Sequence, residues 1–232
     1  MKILVCPDKF KNSLSAKDVC KYVNEGILLA DKNHEITQLP LADGGDGTLA
    51  VLKQVIPFQT IGLKVNDPLF RPIMAQYGFS KPYKAYIEMA TASGLGLLSP
   101  TERNCMHTTS FGTGELIKEV IQRGAKVLYL FVGGSATCDA GIGMASALGY
   151  RFYDSRGYDL KPVGASLEKI AGYRYIPTVD LKGTKFYVMV DVDNPFTGIN
   201  GAAQVYAPQK GASDQEVTQL DQGLANMREL IK

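Results

Sequence analysis

What most constrains this chain is a repeated local order: a short apolar run, a turn dense in glycine and aspartate, then a helical rhythm. Residues 2–6 make a short, mainly apolar run that stops at Pro7-Asp8, the way a buried strand ends. After a polar loop, Ser15 and Asp18 stand at the spacing of a helix N-cap and its N3 partner, with Asp where Glu is usual. Val19, Tyr22, Val23, Gly26, Ile27 and Ala30 then recur at helical spacing, which predicts one buried helical face. Residues 35–39 repeat the strand, 42–47 the turn and 48–56 the helix. Strand–loop–helix units in series build layered α/β domains.

The texture changes between residues 60 and 89. Three β-favouring stretches (60–65, 73–79 and 85–89) are separated by Asn66-Asp67-Pro68 and Lys81-Pro82, the spacing of a meander rather than another crossover unit. Around Gly112 the helical rhythm returns, with Leu116, Ile117, Val120 and Ile121 on one face. Residues 126–132 form a strongly apolar strand running into Gly133-Gly134, and 139–148 read as a helix opening directly from that turn. Residues 186–190 read as another buried strand, ending in Asp191-Val192-Asp193-Asn194-Pro195. From Ser213 a last helix puts Val217, Leu220, Leu224, Met227 and Ile231 on one side, and no strand follows to cover it.

Several function classes drop out. With 25 basic and 23 acidic residues the formal charge is +2, so neither nucleic acid nor an anionic membrane is expected as the main partner. Any bound anion must be captured locally. Cys6, Cys20, Cys105 and Cys138 form no CxxC pair, and His34 and His107 are far apart, so zinc is not expected. Free thiols fit a reducing compartment. The apolar run at the N-terminus is too short for a signal-peptide core or a membrane span. A cytoplasmic protein is the expectation.

Ligands of layered α/β proteins collect where strand ends meet helix starts, and that is where the glycine-rich clusters fall: 7–13, 42–48, 108–114, 133–143 and 191–194. Glycines after a strand let backbone approach a ligand, and free N–H groups of a following helix attract phosphate or carboxylate. Gly133-Gly134-Ser135-Ala136-Thr137 has this form; a tight turn needing glycine only for positive φ is the plainer alternative. Gly141 and Gly143 fall inside the predicted helix, so no dinucleotide fingerprint is present. Neither is a P-loop. The hydroxyls of Thr108, Thr109 and Ser110 read better as helix capping than as an anion site. Asp8, Asp43, Asp46, Asp139, Asp191 and Asp193 all sit at strand ends or in glycine-rich turns. Phosphoryl transfer asks carboxylates to hold Mg²⁺ and to accept the hydroxyl proton, and asks cations to face phosphate; Lys9, Lys11, Arg71 and Arg103 are candidate cations. The residues by themselves reach an α/β protein with anion sites, and no particular substrate.

At the same clusters a resemblance emerges. Pro7-Asp8-Lys9-Phe10-Lys11-Asn12-Ser13-Leu14-Ser15-Ala16 resembles the PDSFKGSLSA signature of type I bacterial glycerate kinases, and Leu41-Ala42-Asp43-Gly44-Gly45-Asp46-Gly47-Thr48 is similar to their ADGGEGT. Ile87-Glu88-Met89-Ala90, Ala92-Ser93-Gly94-Leu95, Thr108–Gly114, Gly133–Thr137, Asp191–Pro195 and Ala207-Pro208-Gln209-Lys210-Gly211-Ala212 follow in the family's order. The resemblance implies two α/β domains: a layered, doubly wound (flavodoxin-like) sheet and a mixed-sheet insertion. The division is expected at residue 58, with 1–58 the start of the first domain and 59–232 the second. It implies ATP-dependent, Mg²⁺-assisted phosphorylation of D-glycerate, with the 2-phospho product favoured. Asp8, Lys11 and Ser13 would then meet Asp43, Gly44 and Gly45 at the cleft. Gly133, Gly134 and Ser135 would bind an anionic group. Asp191 would be the proton acceptor and Asp193 the metal ligand, or the reverse, with Glu88 and Arg103 holding substrate.

This chain departs from the pattern at Lys9 (usually Ser), Asn12 (Gly), Asp46 (Glu), Cys138 (Asn) and Ala140 (Gly). Lys9 adds one charge to the presumed cleft and bears on which hydroxy acid is taken. Family members run longer, so the first sheet is expected to lack strands and one wall of the cleft, leaving an edge open to self-association. The alternative expectation is therefore an incomplete kinase that only binds an anion or small ligand.

Overall fold

A computed structural model describes residues 1–10 and 13–231 of the chain. Strand β1 (Lys2–Val5) pairs in parallel with β2 (Glu35–Gln38), from Lys2 opposite Glu35 to Val5 opposite Gln38. Helix α1 (Ala16–Ala30) connects them and starts where the sequence predicts: Ser15 Oγ accepts the Asp18 N–H at 3.1 Å and donates to the Asp18 carboxylate at 2.6 Å. Its buried face is narrower than the periodicity suggests. Ala16, Val19 and Cys20 are buried, whereas Tyr22 and Val23 are exposed, because only two strands lie against the helix. Helix α2 (Thr48–Leu52) is also shorter than expected and gives way to turns before Ile56.

The main sheet has five strands in the order β3-β4-β5-β6-β9. β3 (Gln59–Asn66), β4 (Pro72–Ser80) and β5 (Lys84–Glu88) form the expected antiparallel meander. β6 (Val127–Phe131) and β9 (Lys185–Met189) extend it in parallel from β5, so the sheet is mixed. A short helix α3 (Ala90–Ser93) follows β5, and α4 (Phe111–Gln122) covers one sheet face. All four predicted residues of α4, Leu116, Ile117, Val120 and Ile121, enter a core with Tyr77, Ile87 and Leu128. Burying each such side chain contributes about 1.5–3 kcal/mol.

Three readings are corrected. β9 is apolar but not buried: it is the outer strand, bonded to β6 alone, and Phe186, Tyr187, Val188 and Met189 are all exposed. Helix α5 (Ile142–Ala147) does not open at Asp139 but after Gly141, whose φ of +76° makes it the left-handed N-cap. The last helix, α7 (Asp214–Leu230), is not left uncovered. Its Val217, Leu220, Leu224 and Met227 pack with Cys105, Ile142 and Leu167 in a second core, while Ile231 stays outside. This core also takes in α6 (Ala202–Tyr206) and a two-stranded antiparallel sheet of β7 (Tyr150–Tyr153) and β8 (Gly172–Tyr175), elements not anticipated above. Among the described residues no helix is long and apolar enough to cross a membrane.

Candidate functional site

The glycine-rich turns meet one another. Strand β6 delivers Gly133 against the loop after β2, where the Gly133 N–H donates to the Gly44 carbonyl at 3.0 Å. The approach is close enough to require glycine. A Cβ on Gly133 would lie 2.7 Å from Gly45 Cα and 2.8 Å from its nitrogen. Gly134 has φ +70°, and a Cβ there would fall 2.5 Å from an Asp46 carboxylate oxygen. Gly44 in turn approaches the carbonyl of Met189, the last residue of β9. The glycine loop thus touches the ends of β6 and β9 together, the strand-end position at which open α/β sheets bind ligands.

Acidic groups and one cation organise this loop. Lys9 Nζ donates to Asp43 Oδ1 at 2.8 Å and stands 3.8 Å from Asp8 Oδ1. The same Asp43 oxygen accepts the Gly45 N–H at 2.7 Å. Burial works to lower the Lys9 ammonium, but Asp43, Asp8 and Asp46 outweigh it and hold its pKa above the ordinary value. Burial likewise pushes Asp43 up, and Lys9 with the Gly45 N–H more than reverses this, so its pKa lies below the ordinary value. A carboxylate lowered on folding stabilises the folded state above its unfolded pKa and loses that contribution as pH falls through the lowered value. Lys9→Met is therefore expected to return the Asp43 titration, followed by NMR, toward the usual carboxylate range. An unmoved titration would mean that Lys9 does not set it.

A cavity of about 550 Å³ opens beside the pair, with Asp8, Lys9, Ser13, Ala42, Asp46 and Gly47 among its lining. Of the predicted residues, Asp8, Ser13, Asp43, Gly44 and Gly45 are thus assembled in one region; Lys11 lies outside the described residues. Gly133 and Gly134 join through the loop contact just described. Ser135 follows, half-buried, and its Oγ accepts from Lys210 Nζ at 2.9 Å. Glu88, buried at the end of β5, accepts the Gly47 N–H and the Leu49 N–H, each at 2.9 Å. Both its oxygens are spent on the start of α2, so it anchors the glycine loop. Burial raises its pKa against the pull of those two donors. Arg103 sits in the loop before Cys105, its Nε buried without a hydrogen-bond partner among the described residues and its carbonyl pressed on Gly211. Asp191 and Asp193 follow β9, exposed and without a hydrogen bond or ion pair among the described residues.

Of the hydroxyls of residues 108–110, only Thr109 meets the start of α4, its Oγ1 accepting the Phe111 N–H at 3.2 Å while donating to the Pro162 carbonyl at 2.7 Å; the other two turn elsewhere. Thr108 Oγ1 donates to the Ala136 carbonyl at 2.9 Å, and Thr137 Oγ1 returns a bond to the Thr108 carbonyl at 3.2 Å. Ser110 donates through N and Oγ, each at 2.8 Å, to the buried Asp139. Thr108 and Ser110 thus brace the loop after β6. Sequence reasoning assigned no role to Lys210, which lies in the Pro208–Lys210 turn and is more than nine-tenths buried. A lysine in a Pro-Gln-Lys-Gly turn reads as solvated, and only the fold shows otherwise.

Comparison with known proteins places these features in a group. Residues 3–232 match the glycerate kinase family. A glycerate kinase of Bacillus cereus is 39% identical over 234 residues, covering 100% of this chain and 61% of that protein. The glycerate 2-kinase of Escherichia coli K12 is 38% identical, with 100% and 61% covered. A crystal structure from Salmonella typhimurium LT2, of a chain described as glycerate kinase 2, superposes with a TM-score of 0.81 at 39% identity, covering 100% of this chain and 62% of that one. The chain therefore spans about three fifths of the length of the relatives it matches.

Proposed function

Given that the chain belongs to the glycerate kinase family, we propose that it acts in ATP-dependent phosphorylation of D-glycerate, at the 2-hydroxyl. The observation that carries this reading is the meeting of the two glycine loops, Gly44–Gly45 with Gly133–Gly134, beside the Asp8–Lys9–Asp43 cluster and the end of β9. Transfer of a phosphoryl group depends on positioning and charge stabilisation more than on covalent chemistry. Backbone in close contact, with no room for a side chain between, supplies the rigidity this requires.

In this reading residues 1–58 and 59–232 are two α/β units, and the site lies between them. Asp8, Ser13 and the Lys9–Asp43 pair line the cleft, and Lys11 is proposed as a further catalytic cation. Gly133, Gly134 and Ser135 receive an anionic group. Asp191, whose carboxylate has no partner among the described residues, takes the proton of the attacking hydroxyl. Asp193 offers a second free carboxylate. Mg²⁺ binds through one or two carboxylates together with substrate phosphates, so two exposed oxygen donors fit it although the described residues contain no cluster of three acidic, histidine or cysteine ligands. When bound, the ion would neutralise phosphate charge. Arg103, with an unsatisfied buried Nε, is the proposed second contact to substrate, and the cytoplasm the proposed location.

The test is ADP release from ATP and Mg²⁺ with and without D-glycerate. Release that depends on D-glycerate, and that falls about 10²-fold or more in Asp191→Asn, is the expected outcome. Release indifferent to D-glycerate would refute the substrate, and full activity in Asp191→Asn would refute the proton acceptor.

A further inference from the structure

Lys210 is more than nine-tenths buried, and its ammonium is bonded only to neutral groups: Ser135 Oγ at 2.9 Å and the Thr137 carbonyl at 2.8 Å. The ion pairs among the described residues include none at Lys210. A buried charge without an opposite charge is expensive. Its third N–H has no acceptor among the described residues. The side chain is not there by looseness of its turn. The Lys210 carbonyl accepts the Cys105 N–H at 3.1 Å, its N–H donates to the Ala207 carbonyl at 3.0 Å, and Gly211 behind it has φ +87° with Arg103 backbone where a Cβ would be. The fold thus presses a cation against the loop after β6 and supplies no carboxylate to match it.

That placement has a consequence for Ser135. Because the ammonium donates into Oγ, the serine is an acceptor on that side, and its own hydrogen must point elsewhere. The backbone around it is fixed: the Ala136 N–H donates to the Ser93 carbonyl and the Leu95 N–H to the Gly134 carbonyl, each at 2.8 Å. Ser135 is left as a hydroxyl donor polarised by a neighbouring cation and carried on the glycine loop itself. We propose that Lys210 is the positive pole of an oxyanion site, a positioning residue that acts through Ser135 to hold the carboxylate of the hydroxy-acid substrate. This rests on the kinase reading for the identity of the anion, but not for its charge. It adds a residue and a sign to a loop otherwise offering only backbone and one hydroxyl.

Titration calorimetry with D-glycerate, ATP and inorganic phosphate, on wild type, Lys210→Met, Lys210→Arg, Ser135→Ala and the Met/Ala double variant, decides it. A charge-assisted hydrogen bond is worth roughly 10- to 100-fold in affinity. Lys210→Met is expected to weaken D-glycerate by about that factor, and Lys210→Arg to restore most of it. Ser135→Ala is expected to cost much less in the Lys210→Met background than alone, since the two act as one unit. A loss falling on ATP rather than D-glycerate would overturn the assignment to the substrate carboxylate. Lys210→Met matching wild type for every anion would overturn the proposal and leave the kinase reading standing. Wild-type binding of inorganic phosphate without D-glycerate, abolished in Lys210→Met, would do the opposite. If Lys210→Met does not fold, Ser135→Ala alone decides: an unchanged affinity for every anion overturns the proposal.

Discussion

Asp139→Ala is expected to lower the melting temperature by on the order of 10 °C. Asp139 is buried, and four donors converge on it: the Ser110 N–H and Oγ at 2.8 Å, the Gly141 N–H at 3.0 Å and the Gly143 N–H at 3.2 Å. Burial pushes its pKa up while these donors oppose the shift. Truncation leaves them without an acceptor in a place water does not reach. Breaking a buried charged network of this kind costs about 3–5 kcal/mol, and at this chain length each kcal/mol moves the melting point by roughly 2–4 °C. Ser110→Ala removes two of the contacts that Ser110 Oγ makes, one to Asp139 and one from the Met144 N–H at 3.0 Å, and is expected to cost about a third as much. Thermal unfolding followed by circular dichroism measures both. A melting point within 2 °C of wild type in Asp139→Ala would show that the loops after β6 and before α4 are held by something else.

How much of this was legible beforehand follows from which contacts are local. The α4 face was legible because Leu116, Ile117, Val120 and Ile121 repeat at helical spacing and meet a broad sheet. The same rhythm misled at Tyr22 and Val23, since periodicity marks an apolar stripe but not the size of what covers it. β9 was misread for a related reason: Phe-Tyr-Val-Met spells burial equally for a central and an outer strand. The β7–β8 pair did carry a signal, the period-two alternation of Tyr150 with Phe152 and of Tyr173 with Tyr175: across the pair Tyr150 stacks on Tyr175 and Phe152 meets Tyr173 at a tilt. At the site, the glycine and aspartate clusters marked the right loops, but their partners lie far off in sequence. Glu88 reaches 41 residues back to Gly47, and Lys210 reaches 75 back to Ser135. Nothing local distinguishes a glutamate that holds substrate from one that caps a neighbouring helix.

Gly133→Ala is expected to reduce D-glycerate-dependent turnover, or D-glycerate affinity, by about 10²-fold while lowering stability only modestly. A methyl group there meets backbone alone: Gly45 Cα at 2.7 Å, Gly45 N at 2.8 Å and the Gly44 carbonyl oxygen at 3.0 Å. No flexible side chain is available to yield, so the two loops must part. The movement breaks the 3.0 Å bond from the Gly133 N–H to Gly44 and carries Asp43 away from the end of β6. Overpacking of this size costs about 1–3 kcal/mol, spread over loops at the margin of the sheet. A displacement near 1 Å at reacting groups costs about 10²-fold in rate. Function should therefore fall much further than stability. Gly26→Ala is the control, since nothing lies within 4 Å of a Cβ on that residue in α1. It is expected to leave binding untouched and to raise stability by about 0.5–1 kcal/mol through helix propensity. If Gly133→Ala instead binds D-glycerate as wild type does, the contact between the glycine loops is packing only, and the proposed site must be sought along the Asp8–Asp46 cavity without them.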